Sequence, residues 1–382
     1  MSAESIYVHI PFCVSKCLYC DFTSYPGKDH LIGEYVEALK SEIRLYASRF
    51  PGTHISTVYF GGGTPNVLKP EQLGEILDEL KGSFEFDAGA EISTEANPGI
   101  SGGADEGVYP FRLLRDSGFN RLSLGIQSFN DDELRLLGRA HNSAQAVQGF
   151  RSARESGFDN ISIDLMYGIP VQSLDSWRKT LDDALALDSE HISLYSLTVE
   201  EGTPFSAMQG AGKLELPGDD LEADMYEEAI LRLTAGGYTH YEISNFAKPG
   251  RECRHNMTYW RNEGYFGFGA GAVSYLDGVR TANISQIEEY IEKVKSGETP
   301  AASSESLAAR ESMGETMFLG LRTMKGIDCR VFENRYGISP DGVFGTKLAA
   351  MVSRGLVERT HGFIRLTERG LMLANEVFAE FV

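Results

Sequence analysis

The sequence predicts an α/β fold: a partial (β/α)6 barrel followed by a mostly helical, winged-helix-like C-terminal module. Three observations predict it. From residue 6 to about 200, short β-branched runs alternate with longer amphipathic segments. The unusual residues fall just after those runs, where the βα loops of such folds carry chemistry. Residues 307–382 drop the alternation for helical patterns and one β-like pair.

Strands are expected at 6–10, 57–60, 91–95, 121–126, 161–166 and 191–197, with helices at 31–48, 70–80, 111–117, 144–156 and 174–186. Strand and helix in turn imply a parallel sheet covered by helices. Six units fall short of the eight that close a full barrel, so the barrel is curved and partly open. In this reading it spans residues 1–216. Residues 217–300 form a mixed α/β extension with two Gly-rich stretches, and 296–306 reads as an exposed linker. The C-terminal module, 307–382, has helical patterns at 307–323, 328–336 and 341–354, a β-like pair at 357–359 and 363–366, and a last helix. It lacks a basic recognition face, so a packing or lid role is expected.

A formal net charge of -20 argues against a nucleic-acid or anionic-membrane surface, because such surfaces are basic. No apolar run is long enough to cross a bilayer, and the opening Met-Ser-Ala-Glu-Ser does not read as a signal peptide. The cytoplasm is the expected location. The five cysteines are an odd number with three close together, which suits metal ligation in a reducing compartment better than disulfides.

Those three, Cys13, Cys17 and Cys20, form a CxxxCxxC in the loop after the first strand. Three thiolates bind three corners of a [4Fe–4S] cube and leave the fourth iron open. A structural zinc would want a fourth ligand, for which His9 and Asp21 are poorly placed. Unligated buried cysteines are the other bland reading, and a tight triplet on a loop speaks against it. Later strand ends carry Gly61-Gly-Gly-Thr-Pro65, Glu95-Ala-Asn-Pro98, Gln127, Asp164 and Thr198. Glycines let backbone approach a ligand closely, although a GGGTP alone also fits a plain tight turn. Singly, Glu95 and Asp164 read as barrel carboxylates, Arg139 as a helix-end surface residue and Gln127 as a core hydrogen bonder. Their joint placement at strand ends favours a site.

The CxxxCxxC after a first strand resembles the signature of the radical S-adenosylmethionine (SAM) superfamily. His9-Ile-Pro-Phe-Cys, Gly61-Gly-Gly-Thr-Pro, Glu95-Ala-Asn-Pro, Gly125-Ile-Gln-Ser-Phe and Asp164-Leu-Met-Tyr-Gly-Ile-Pro resemble its branch of oxygen-independent coproporphyrinogen III oxidases and heme chaperones. The resemblance implies a [4Fe–4S] cluster on Cys13, Cys17 and Cys20, with SAM's amino and carboxylate groups on the open iron. It implies SAM contacts at Tyr7, Gly62, Gly63, Thr64, Glu95, Gln127, Arg139, Asp164 and Thr198. Tyr19 would lie by the adenine, with Ala272 and Val273 of the Gly-rich 265–275 segment nearby.

Within that branch the sequence sides with the chaperones. The oxidases carry a further cysteine two residues after the third, where this chain has Phe22. They also carry a long N-terminal extension, whereas twelve residues precede Cys13. Arg254-His-Asn-Met-Thr-Tyr-Trp260 holds an HNxxYW motif that resembles the chaperones' own. It combines an imidazole, a common heme ligand, with two rings able to stack on a macrocycle. The implied heme set is His255, Asn256, Tyr259 and Trp260; without the family, His255 reads as a hydrogen bonder and Trp260 as core. Cys253 and Cys329 read as small buried residues, and His30, His54 and His361 as surface residues.

The expected function is therefore heme delivery by a protein that binds heme, the cluster and SAM, with no catalytic residue assigned. Implied partners are heme, heme-receiving proteins (respiratory-chain proteins among them) and an electron donor, with room for peripheral membrane contact. The rival is a radical enzyme, either a porphyrinogen oxidase or a methyltransferase. A third reading is a metal-stabilised interaction module using the acidic surface.

Overall fold

The computed structural model describes residues 3–101 and 109–382. All six expected strands form: β1 (Ser5–Ile10), β4 (His54–Gly62), β5 (Glu85–Ala96), β6 (Arg121–Gln127), β7 (Ile161–Tyr167) and β8 (His191–Ser196). They lie side by side in that order and all run parallel. Two short strands, β2 (Phe12–Cys13) and β3 (Tyr25–Pro26), pair across the cysteine loop.

The barrel stays open, as expected. Beyond β8 come β10 (Asn245–Ala247) and β9 (Thr239–Glu242), both antiparallel. Beyond β1 come β11 (Tyr265–Phe268), parallel to it, then β12 (Val273–Leu276), β13 (Val279–Asn283) and β14 (Ala301–Ser306). The linker expectation for 296–306 is corrected here, because Ala301–Ser306 pairs with β13. All six of its residues are exposed, so no apolar alternation reveals it in the sequence.

Alternation explains why the barrel strands were legible. Outward residues such as Ile6, Val8, Val58, Phe60, Leu122, Ile163 and Ile192 are buried beneath helices. These helices are α1 (Ile32–Ala47), α2 (Pro70–Ser83), α3 (Phe111–Ser117), α5 (Ser143–Glu155) and α6 (Leu174–Leu187). Asn142 and Ser173 cap α5 and α6 through their side chains, and both ends form capping boxes. A seven-residue helix, α4 (Asp131–Leu137), was not in the sequence reading, although Asn130 caps it through its side chain. The inward residues are polar: Ser5, Thr57, Tyr59, Glu91, Ser93, Glu95, Arg121, Ser123, Asp164, His191 and Ser193.

Further along lie α7 (Pro204–Gly210), α8 (Asp219–Ala235), α9 (Arg254–Trp260) and α10 (Ile287–Lys295). The C-terminal part holds α11 (Ala309–Leu321), β15 (Ile327–Asp328), α12 (Cys329–Tyr336), α13 (Pro340–Ser353), β16 (Val357–Thr360), β17 (Phe363–Leu366), α14 (Glu368–Met372) and α15 (Ala374–Phe378). It packs around its own apolar cluster, which includes Met317, Phe332, Phe344 and Leu348. Backbone bonds from Ile243 to Arg322 and from Met324 to Tyr241, both 3.0 Å, tie it to the β9 edge. Among the described residues no helix is long and apolar enough to cross a membrane.

Candidate functional site

Cys13, Cys17 and Cys20 line one wall of a cavity of about 380 Å³ at the C-terminal end of the barrel. Their loop is held from both sides. Leu18 N–H donates to the Leu137 carbonyl at the end of α4 (3.1 Å), and Gly63 N–H donates to the Ile10 carbonyl (2.9 Å). Glycine is required at 62 and 63 by protein neighbours as much as by any ligand. A Cβ at Gly62, whose φ is 111°, would stand 2.4 Å from the His9 ring, and one at Gly63 would stand 2.7 Å from the Phe12 carbonyl oxygen.

Gly138 takes a left-handed φ of 74° at the end of α4, and the next residue, Arg139, joins the cavity wall. Arg139 Nη1 donates to Cys17 Sγ at 3.4 Å, and Nη2 donates to the Gly125 carbonyl at 2.7 Å. Its Nε is buried with no partner. Cys13 Sγ lies 3.4 Å from Thr64 Oγ1. Burial pushes the Cys13 and Cys20 thiols up from their ordinary pKa. Among the described residues no three His, Cys, Asp or Glu side chains converge on a point that would hold a metal ion.

Across the cavity Glu95 accepts from the Tyr59 hydroxyl (3.0 Å) and from Gly62 N–H (3.2 Å). Burial, and then the nearby Asp164 carboxylate, push its pKa up to about 7. Asp164 is also raised, chiefly by burial, although the Ser193 and Ser123 hydroxyls work the other way. Gln127 ends β6 with φ at 67°, a left-handed turn that is uncommon outside glycine.

The structure brings together most of the expected SAM set. Tyr19, Gly62, Gly63, Thr64, Glu95, Gln127, Arg139, Asp164 and Thr198 all line this cavity. Tyr7, Ala272 and Val273 do not. Tyr7 stacks 6.5 Å from Tyr59 and bonds His9 Nδ1 at 2.9 Å, and Ala272 is buried. Gly271, next to Ala272, faces Thr23 at the far end of the cysteine loop. Residues the sequence reading left out, among them Lys16, Asn97, Tyr195 and Glu200, also line the cavity. Asn97 was within reach: it stands two residues past Glu95, the spacing that shares a strand face.

The HNxxYW residues lie elsewhere. His255 is 1% exposed. Its Nδ1 pairs with Thr57 Oγ1 and its Nε2 with the Tyr259 hydroxyl, both at 2.9 Å. Its ring stacks on Tyr59 at 5.3 Å. Burial, with the Arg121 charge second, lowers its pKa to about 3, so it is neutral. In this conformation both ring nitrogens of His255 are engaged by protein partners. Trp260 carries the Arg322 guanidinium 4.6 Å above its ring, and Tyr259 meets Tyr265 edge-on at 4.7 Å. Asn256 is partly buried on the same helix. Cys253 is buried as expected, 3.7 Å from a Glu91 oxygen, with its thiol pushed up to about 12 by burial.

The Radical SAM superfamily profile matches residues 7–184, and the HemN C-terminal domain profile matches 307–373. A relative named "Heme chaperone HemW" from Bacillus subtilis is 40% identical over 383 residues, covering 99% of both chains. The chain belongs to the HemW family of radical SAM proteins. The Escherichia coli relative with the same name is 33% identical, covering 99% of this chain and 98% of its own. A solved structure titled as coproporphyrinogen III oxidase (HemN) from Escherichia coli, a radical SAM enzyme, superposes with a TM-score of 0.85. It is 27% identical and covers all of this chain and 90% of its own. On this HemW-family chain, Phe22 lines the cavity and is 64% exposed.

Proposed function

We propose that this protein is a heme chaperone that binds a [4Fe–4S] cluster, SAM and heme and hands heme to acceptor proteins. The observation that carries this reading is full-length identity, up to 40%, to relatives named heme chaperones. The donor set supports the cluster. A tetrahedral zinc with bonds of about 2.3 Å would hold its sulfurs about 3.8 Å apart, converging on one point. Three cysteines that line one cavity, with no fourth His or Cys beside them among the described residues, suit a cube with one open iron better.

Cys13, Cys17 and Cys20 would hold the cluster, which supplies an electron and an iron with an open position. The unpartnered Nε of Arg139 and the Glu95 carboxylate give opposite charges on facing walls, complementary to the carboxylate and ammonium of an amino acid. Gln127, Asp164, Thr198, Tyr19 and the Gly62–Thr64 backbone complete that pocket in this reading. Acceptor proteins would be heme-dependent, and an electron donor would serve the cluster.

The second reading, a porphyrinogen oxidase, draws on the fold match to HemN. Phe22, in place of the further cysteine, speaks against it. Anaerobic reconstitution, hemin titration and a coproporphyrinogen III assay on one sample decide. Saturable hemin binding with no conversion to protoporphyrinogen is expected, and conversion would overturn the chaperone reading.

A further inference from the structure

Cys20 and Ser24 line the upper cavity, the one at the C-terminal end of the barrel. Thr23, between them in the chain, leaves the cysteine loop against the turn that follows β11. A Cβ at Gly271 of that turn would stand 2.9 Å from Thr23 Cγ2. His9 holds the same point, with Nε2 bonded to the Thr23 carbonyl at 2.8 Å.

What fixes the turn lies on α1. Glu42 is fully buried there and accepts three bonds, from Gly269 N–H (2.8 Å), Asn283 Nδ2 (2.7 Å) and the Tyr290 hydroxyl (2.6 Å). Asn283 also donates to the Gly269 carbonyl at 3.0 Å, so both backbone groups of Gly269 are clamped. Seven residues earlier on the same helix face, Tyr35 accepts from Ala270 N–H (3.0 Å) and donates to the His9 carbonyl (2.8 Å). This close approach requires glycine at 269. Its φ is 103°, and a Cβ would stand 2.5 Å from the Tyr35 hydroxyl.

Holding a turn with a buried carboxyl costs desolvation. Among the described residues Glu42 forms no ion pair, and burial pushes its pKa up to about 7 against the pull of its three bonds. An apolar side chain would fill the same space without that cost. What the carboxyl adds is direction. Its three bonds set the turn, the end of β13 and α10 in one arrangement, and the turn abuts the cysteine loop.

We propose that Glu42 is a positioning residue for the cluster loop. Acting through the 269–271 turn, it fixes the return leg at Thr23, and with it Cys20, without touching cluster or SAM. The inference rests on the cluster reading above and adds a residue which that reading does not use.

Two measurements on the full-length protein test it. In the cluster-free protein, N-ethylmaleimide labelling is followed at each cysteine by mass spectrometry. E42A should label at Cys20 at least about fivefold faster than native, a local opening. Cys253, buried at the other end of the barrel, should label at the native rate. E42Q keeps an acceptor for Gly269 N–H and should return Cys20 to within about twofold of native. N283A removes one donor and the clamp on the Gly269 carbonyl; it should fall between, and it decides if E42A does not fold. After anaerobic reconstitution, a chelator should strip the cluster from E42A at least about fivefold faster than from native protein. Native labelling at Cys20, native cluster loss, equal acceleration at Cys253 or no rescue by E42Q would overturn the role and leave the cluster reading standing. A native protein that takes up no cluster would overturn both.

Discussion

The two ends of the barrel use the same inward-facing residue types and treat them oppositely. At the C-terminal end, Glu95 and Asp164 are raised in pKa beside an open cavity, and Arg139 keeps a buried nitrogen unpartnered. At the N-terminal end several polar groups bond one another, although Arg121 Nε is buried without a partner. Glu91 accepts from the backbone N–H of Arg254 (3.2 Å) and of His255 (3.1 Å) and lies in the field of Arg121. His191 bonds Ser162 and Tyr241, both at 2.8 Å. Glu91 and Glu95 stand on one face of one strand, four residues apart. A cavity-facing carboxylate at one end and a carboxylate that accepts from the start of a helix at the other separate a binding site from a structural contact.

The comparison breaks most easily at that pair. Glu91→Ala leaves the Arg254 and His255 N–H groups at the start of α9 without their acceptor, so chemical denaturation should show a loss of about 3–5 kcal/mol. Glu95→Ala should cost less than about 1 kcal/mol or stabilise, as substitutions at strained sites do. Equal losses would dissolve the distinction. His255→Ala should cost about 2–4 kcal/mol by the same measurement, because it takes the imidazole from the Tyr259 hydroxyl, leaves Thr57 with Ser5 alone and opens a hole against Tyr59. A near-neutral result would mean the motif is held for ligation and not for packing.

pH sharpens the contrast next. The folded pKa of Glu95, about 7, lies above its ordinary 4.5. The unfolded chain therefore ionises first as pH rises, and stability contributed by the neutral acid is lost between 4.5 and about 7. Because cavity water screens the group, the swing should stay under about 3 kcal/mol. Glu95→Gln should flatten the stability profile over that window; an unchanged slope would place its origin elsewhere. The smallest effect belongs to Phe22→Cys. At 64% exposure, the change should alter stability by less than about 0.5 kcal/mol. It should not confer coproporphyrinogen turnover, and if it did, one side chain would separate the two functions.

Six parallel strands were legible because each barrel strand alternates a buried outer face with a polar inner one, and the five barrel helices and those of the C-terminal part because of their own periodicity. The upper cavity was legible for the same reason: strand ends in a βα fold share one end of the barrel, and chain order alone puts Cys13, Glu95, Gln127 and Asp164 there. Strand β14 was not legible, since Ala301–Ser306 owes its pairing to β13 and not to its own pattern. Ala272 and Val273 follow Gly271, which packs on Thr23 just past the cysteine loop, and do not themselves line the upper cavity.

By itself the sequence determined the open parallel barrel, the three thiols on its first loop and the polar groups gathered above them. Local periodicity and chain order suffice for that. Only the tertiary structure decided which way α9 faces. Spacing groups His255 with Tyr259 and Arg254 with Met257, but either pair satisfies a helix. Packing against Thr57 and Tyr59, some two hundred residues earlier in the chain, turned the imidazole inward.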